Sequence, residues 1–239
     1  MNPNRDDMFR ELGLAPVWRL RSQPEQPDSQ ILDEAIPDMP QKAVVSEPSV
    51  MQMDWAQLRE AVQHCTKCPL HRTRTQGVLG VGDQNADWLI IGEAPGADED
   101  AQGEPFVGQA GKLLDAMLAA IGLKRGENVY IANVLKSRPP GNRNPTAEEV
   151  TACLPYLERQ IQLIQPKLIL ALGRFAVQSL LNTEESISRL RGKVHQYQGV
   201  PLIVSYHPAY LLRNLPDKAK AWEDLCFARE TMASANIKS

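Results

Sequence analysis

The sequence has little of several features that would assign a protein to a special class. No stretch approaches about 18 consecutive apolar residues, so no segment predicts a membrane-spanning helix. Residues 1–10 are polar and of mixed charge, whereas a signal peptide needs an apolar core. Four cysteines in 239 residues are too few for a disulfide scaffold. These features predict a cytoplasmic protein with no membrane partner.

The chain also lacks an internal repeat, and its hydrophobic content of 43% suffices for one sizeable core and an appendage. Residues 4–12 predict a short helix with apolar side chains on one face. Residues 14–21 follow as an apolar extended stretch, too small to form its own core. We interpret residues 1–21 as a docking peptide, and the alternative is that this peptide packs back on the domain.

The next part of the chain, residues 22–53, is rich in proline and acidic side chains. It holds five of the 18 prolines and one lysine against six acids, and it has no helical or alternating apolar period. Such a composition predicts a disordered linker.

From residue 54 to residue 239 the pattern changes to strands that alternate with helices. Residues 54–65 predict an amphipathic helix. Apolar runs of strand length occupy residues 86–92, 128–135, 166–173 and 200–206. Further helices are predicted at about 108–121, 146–164, 174–182 and 217–234. This alternation predicts a three-layer α/β/α sandwich around a mostly parallel sheet of about four strands.

The charge of the chain is distributed unevenly. The net charge is -3, but residues 22–53 alone carry -5, so residues 54–239 are nearly neutral. Basic residues in this part form clusters, one of which contains Arg189, Arg191 and Lys193. The clusters permit a local phosphate-binding face, and ordinary solvated loops would explain them equally well.

Residues that follow the predicted strands deserve particular weight, because ligands of parallel α/β folds bind beyond the carboxyl ends of the strands. After the first run, residues 92–100 combine two glycines and a proline with several acids, which predicts a tight turn whose N–H groups face a ligand. Phe106 follows in a polar segment and could stack on a base. The alternative is an ordinary turn with Phe106 buried.

Two other strand ends carry polar side chains. Asn133 lies within an apolar run, where its amide needs partners and could read one edge of a nucleobase. His207 precedes a proline at the end of the last run and could project into a cleft, with Arg213 nearby to meet phosphate. Each of the two could also be a satisfied structural residue.

Together these motifs resemble the iron-sulfur type, family 4, of uracil-DNA glycosylases. The resemblance extends from Cys65 to Arg229. It is carried by C-x-x-C-P-L-H-R-T-R-T at 65–75, GEAPG at 92–96, EPFVGQAG at 104–111, NVLKSRPPGNRNP at 133–145 and HPAYLLRN at 207–214.

The resemblance implies a role for each matching residue in removing uracil from DNA. The turn would hold uracil and the attacking water through Gly92, Ala94, Pro95 and Gly96. Phe106 would stack on the base, Asn133 would read its edge, and His207 would bind the oxygen that gains charge. Glu93 and Glu99 match acids near the water, and the family clamps DNA phosphates, for which Arg213 and the loop with Arg189, Arg191 and Lys193 are candidates.

The cysteines depart from the family pattern. Cys65 and Cys68 form a C-x-x-C pair, which indicates metal or redox chemistry. The family would hold an iron-sulfur cluster with cysteines at positions 65, 68, 137 and 153, but position 137 is Ser137. Serine oxygen is a poor iron-sulfur ligand, so we expect a labile, incomplete or absent cluster, or a zinc site on Cys65, Cys68 and Cys153.

Residues 4–21 are similar to the N-terminal peptide of the DNA polymerase III psi subunit, which implies a clamp-loader partner. Two functions therefore compete. One is a uracil-DNA glycosylase tethered to the replication clamp loader. The other is a catalytically inactive, psi-like accessory subunit that uses the glycosylase fold as an interaction scaffold.

Overall fold

The computed structural model describes residues 49–236, which form one six-stranded sheet flanked by helices. The strand order is β1-β3-β2-β4-β6-β5. The strands are β1 (Val81–Gly82), β2 (Trp88–Gly92), β3 (Val129–Asn133), β4 (Leu168–Leu172), β5 (His195–Tyr197) and β6 (Val200–Ser205). The four central strands pair in parallel and the two edge strands pair antiparallel. The predicted sandwich around a mostly parallel sheet is confirmed.

The central strands form because their sequences are continuous apolar runs. Every residue of β2, β3 and β4 is buried, as expected where helices cover both faces of a sheet. The prediction of about four strands omitted the edge strands. β1 and β5 are only two and three residues long and are partly exposed, so they leave no apolar run in the sequence.

Eight α-helices are described in this part of the chain. They are α1 (Trp55–Gln63), α2 (Ala97–Gln102), α3 (Gln109–Ala120), α4 (Ala147–Ile164), α5 (Arg174–Leu181), α6 (Ile187–Leu190), α7 (Pro208–Leu211) and α8 (Lys218–Asn236). A capping box begins α4, since the side chain of Thr146 accepts from the N–H of Glu149 and the side chain of Glu149 accepts from the N–H of Thr146. None of these helices is long and apolar enough to cross a membrane.

Alternation along β2 divides the core between the two faces of the sheet. Leu89 and Ile91 belong to the cluster that includes apolar side chains of α4, α5 and α6. Ile90 belongs to the opposite cluster, which includes side chains of α3 and α8. Period-two alternation on a buried strand therefore anchors a helical layer on each face.

The described domain begins earlier than the predicted boundary at residue 54. Val50–Gln52 form a 3-10 turn, Met53 is buried, and the carbonyl of Met53 accepts from Arg159 Nε at 2.7 Å. The last residues assigned to the linker therefore pack on the domain. The predictions for residues 1–21 and for most of the linker lie outside the described residues.

A buried lysine supports the end of β3. Lys136 Nζ donates to the carbonyl of Asn133 at 2.7 Å, to the carbonyl of Leu79 at 3.3 Å and to Gln160 Oε1 at 2.5 Å. Burial lowers the pKa of Lys136 to about 7. Gln160 Nε2 donates to the hydroxyl of Tyr130, so the network extends along the strand. Through Lys136, this network fixes the main-chain carbonyl of Asn133, the last residue of β3.

Candidate active site

A cavity of about 820 Å³ opens at the carboxyl ends of the central strands. Its walls come from the segments that follow β2, β3, β4 and β6, which is the position expected for a ligand site in a parallel α/β fold. Nine of the residues predicted from sequence line it: Glu93, Ala94, Pro95, Gly96, Glu99, Phe106, Asn133, His207 and Arg213. The cavity thus gathers residues that lie more than 100 positions apart in the chain.

Gly92 lies directly behind the cavity and permits the close approach of two of its lining side chains. A Cβ atom at position 92 would lie 2.4 Å from Asn133 Oδ1 and 2.6 Å from Phe106 Cζ. Both distances are shorter than any ordinary van der Waals contact. Only glycine therefore lets the amide and the ring meet at the end of β2.

Phe106 is held in a backbone conformation that phenylalanine rarely adopts. Its φ is +56°, and such a conformation persists only where the surroundings impose it. Arg125 supplies that restraint, because Nη1 donates to the carbonyl of Pro105 at 3.0 Å and Nη2 to that of Phe106 at 2.8 Å. The ring is buried and stacks on His207, with ring centres 5.4 Å apart.

Asn133 presents an unpaired acceptor at the cavity. The residue is 2% exposed, and Oδ1 is the one buried side-chain N or O atom of residues 49–236 without a hydrogen-bond partner. An unsatisfied buried carbonyl is costly, typically by about 1–3 kcal/mol. A ligand that donates a hydrogen bond to this oxygen would remove that cost.

His207 is a neutral imidazole with a defined tautomer. Its Nδ1 accepts from the backbone N–H of Ala209 at 3.1 Å, so the ring proton is on Nε2. Burial, and secondarily the charge of Arg213, lowers the pKa of His207 to about 4. At neutral pH the ring is thus an uncharged donor through Nε2.

The two acids of the turn have different environments. Burial raises the pKa of Glu93 to about 7, and the charge of Arg174 opposes this shift only in part. Glu99 instead accepts from the N–H groups of Gly96, Val107 and Gly108 at 3.0, 3.1 and 3.3 Å. Glu93 can exchange a proton near neutral pH, whereas Glu99 ties the turn to the segment after Phe106.

Residues 79–226 match the Uracil DNA glycosylase superfamily. The chain belongs to this superfamily. A type-4 uracil-DNA glycosylase of Archaeoglobus fulgidus is 53% identical over 159 residues, which are 63% of this chain and 79% of the relative. One of Pyrobaculum aerophilum is 44% identical over 183 residues, or 72% and 92% of the two chains. One of Thermotoga maritima is 46% identical over 157 residues, or 65% and 81%.

One residue predicted to bind phosphate, Arg191, lies outside the cavity and makes hydrogen bonds within the domain. Arg191 Nε donates to the buried carboxylate of Asp224 at 3.0 Å, and Nη2 donates to Glu223 and to the carbonyl of Lys220. These contacts attach the loop to α8. Nε and Nη2 of Arg191 are therefore engaged within the domain, and a contact of this residue with DNA stays a prediction. Arg189 and Lys193 are exposed but do not line the cavity.

The part of the domain around Cys65, Cys68, Ser137 and Cys153, here called the cysteine corner, does not present a four-thiol site. Ser137 is 3% exposed, and its Oγ accepts from Arg74 Nη1 at 2.7 Å. Arg74 Nη2 also donates to the carbonyls of Gln63 and Cys65 at 2.7 and 3.1 Å. In residues 49–236 no three or more His, Cys, Asp or Glu side chains are grouped to hold a metal ion. The geometry thus gives no support to the predicted metal site on Cys65, Cys68 and Cys153.

Burial governs the chemistry of the thiol of Cys153. The side chain packs with Leu70 and Leu135, and burial raises the pKa of this thiol to about 11. Nucleophilic attack needs the thiolate, which burial disfavours at this position. Cys65 and Cys68 are free thiols of intermediate exposure.

Sequence reasoning missed several cavity residues. Asn142, with φ +54°, and Arg174 line the cavity, as do Tyr206 and Tyr210, whose rings stack with centres 5.4 Å apart. Arg174 follows the end of β4 by two positions, so the strand-end rule could have found it. Arg125 lies in the loop before β3 rather than after the carboxyl end of a strand, and no sequence signal links it to Phe106.

We predict that Arg125→Met destabilises the domain by about 2 kcal/mol, because it removes the charged donor to two carbonyls and an ion pair with Asp115. The matched control is Lys124→Met, which removes a charge from the neighbouring exposed position. Urea denaturation measures both variants. Equal stability of the two would contradict the role of Arg125 in holding Phe106.

Proposed function

We propose that this chain is a uracil-DNA glycosylase that hydrolyses the N-glycosidic bond of deoxyuridine in DNA, as in base excision repair in the cytoplasm. The observation that carries the proposal is that one cavity is lined both by Asn133, whose Oδ1 is unpaired, and by His207, whose Nε2 carries the proton. Uracil offers the matching pattern, with an N–H donor and a carbonyl acceptor adjacent on one edge. The type-4 relatives support the same activity.

The chemistry follows from the charges that develop in the reaction. Cleavage of the bond from C1′ to the base leaves an oxocarbenium-like sugar and an anionic uracil. The Nε2–H of His207 donates to the uracil oxygen that gains charge, and a neutral imidazole does so without losing its proton. Phe106 stacks on the base, which must first leave the helix to reach the cavity.

Glu93 completes the hydrolysis. Its carboxylate accepts a proton as water forms the new bond to C1′, and it lies in the turn that the family resemblance assigns to the water. Glu99 positions this turn through its three backbone hydrogen bonds rather than exchanging a proton. Asn133, Phe106 and His207 line one cavity, which favours the enzyme over a catalytically inactive interaction scaffold. An inactive scaffold would have no need of an unpaired acceptor.

We predict that His207→Ala and Asn133→Ala lower single-turnover cleavage of a uracil-containing oligonucleotide by at least about a hundredfold. Folding should be nearly unchanged in both variants, as judged by thermal denaturation. Arg229→Ala, at an exposed position outside the cavity, is the control. Cleavage by His207→Ala at the wild-type rate would contradict the assignment of His207 to the active site.

We predict that the cleavage rate rises with pH through about 7 and then reaches a plateau, because the pKa of Glu93 is about 7 and its ionised form accepts the proton. Glu93→Gln should be slower and nearly independent of pH in this range. His207, with a pKa of about 4, adds no step between pH 5 and 9. A rate that falls above pH 7 would instead identify Glu93 as a proton donor.

We also propose that the domain works without a four-cysteine iron-sulfur cluster, since the fourth ligand position holds Ser137, whose Oγ accepts from Arg74. Ser137→Cys should raise the iron and acid-labile sulfide per chain above those of the wild type. Ser234→Cys, which adds a thiol at an exposed position, is the control. Equal iron in the two variants would mean that this corner no longer forms the family's site.

We propose finally that residues 1–21 bind the DNA polymerase III clamp loader and that the acidic linker tethers the glycosylase domain near newly made DNA. The support is the similarity of residues 4–21 to the psi peptide. Deletion of residues 1–21 should spare cleavage and abolish clamp-loader binding in a pull-down. Retained binding would assign the contact to the domain.

A further inference from the structure

The three arginines that line the cavity differ in whether their guanidinium groups have hydrogen-bond or ion-pair partners. Arg143 pairs with Glu149, with Nη2 and Oε1 2.5 Å apart, and also donates to the carbonyl of Asn144. Arg174 and Arg213 line the same cavity, and within residues 49–236 neither guanidinium makes a hydrogen bond or an ion pair. Two exposed cations at the mouth thus remain available to an anionic ligand.

Arg174 is placed beside the site by close backbone packing. It is the first residue of α5 and follows Gly173, whose φ is +90°. A Cβ atom at position 173 would lie 2.8 Å from His207 Cβ, so the start of the helix lies against the histidine. The guanidinium lies over the ring of Phe175, with Cζ 4.5 Å from the ring centre.

The position of this cation is unfavourable for the helix itself. The first turn of a helix favours negative charge, and a guanidinium there opposes the helix dipole. A carboxylate nearby could offset this cost, but Arg174 lowers the pKa of Glu93 only in part and burial keeps that pKa at about 7. Arg174 is therefore not closely paired with Glu93, and its charge is left for another anion.

A nucleotide extruded into the cavity brings its flanking phosphates to the mouth. A guanidinium binds phosphate through two parallel N–H donors, which both attracts and orients the strand. We propose that Arg174 binds a DNA backbone phosphate next to the extruded nucleotide and, with Arg213, forms the phosphate clamp of this cavity. This inference rests on the proposed function in that it takes DNA as the ligand.

The test measures binding apart from cleavage. Fluorescence anisotropy follows the full chain as it binds a labelled duplex that carries a tetrahydrofuran abasic-site analogue, at several salt concentrations between about 50 and 200 mM. The variants are Arg174→Met, which keeps the apolar stem, Arg174→Lys, which keeps the charge, and Arg229→Met, which removes an exposed cation outside the cavity.

We expect Arg174→Met to bind about tenfold more weakly at low salt and to reduce the slope of log K against log salt by about 0.9, the value for one lost phosphate contact. Arg174→Lys should keep most of the slope and lose affinity, because its ammonium cannot bind phosphate bidentately. Arg229→Met should match the wild type.

Three results would overturn the inference. One is an unchanged slope in Arg174→Met, and another is an equal loss of slope in Arg229→Met. The third is a shifted pH profile of cleavage in Arg174→Met without any change in binding, which would make Arg174 a counter-ion of Glu93. The proposed function fails separately, if wild-type protein binds the analogue but releases no uracil from DNA.

Discussion

The parallel pairing of β2 with β3 is the constraint on which the site depends. It sets Gly92 opposite Asn133, and the pairing continues beyond the strands, since Val134 and Leu135 donate to the carbonyls of Gly92 and Glu93. A slip of one residue would turn the amide of Asn133 to the other face of the sheet. Because Gly92 has no side chain, this register also admits Phe106, and the backbone of Phe106 depends in turn on Arg125.

Burial acts on the titratable groups of the cavity in one direction, and the chemical result differs from group to group. It favours the neutral form of each group, so the pKa of Glu93 rises and that of His207 falls. The carboxyl is thereby poised to exchange a proton near neutral pH, while the imidazole is kept as an uncharged donor. One physical effect thus supports two distinct roles within a single cavity.

The cysteine corner shows how one substitution can change what a family motif does. The C-x-x-C pair and Cys153 are retained, but Ser137 replaces a thiol with a hydroxyl that accepts from Arg74. The same guanidinium also binds the carbonyls of Gln63 and Cys65, so hydrogen bonds from one side chain join the end of α1 to the segment after β3. Lys136, the residue before Ser137, holds Asn133, so this corner and the cavity share one short segment.

The sequence by itself determined the fold class, the four central strands, the longer helices and nine of the 23 residues that line the cavity. Continuous apolar runs are sufficient to identify buried strands, and ligand-binding residues follow the ends of such strands. Only the tertiary structure decided which polar atoms have hydrogen-bond partners. It paired Arg191 with Asp224, left Asn133 Oδ1 unpaired and brought Arg125 to Phe106. Hydrogen-bond partners distant in the chain leave no periodic signal, because they depend on how the elements pack rather than on local spacing.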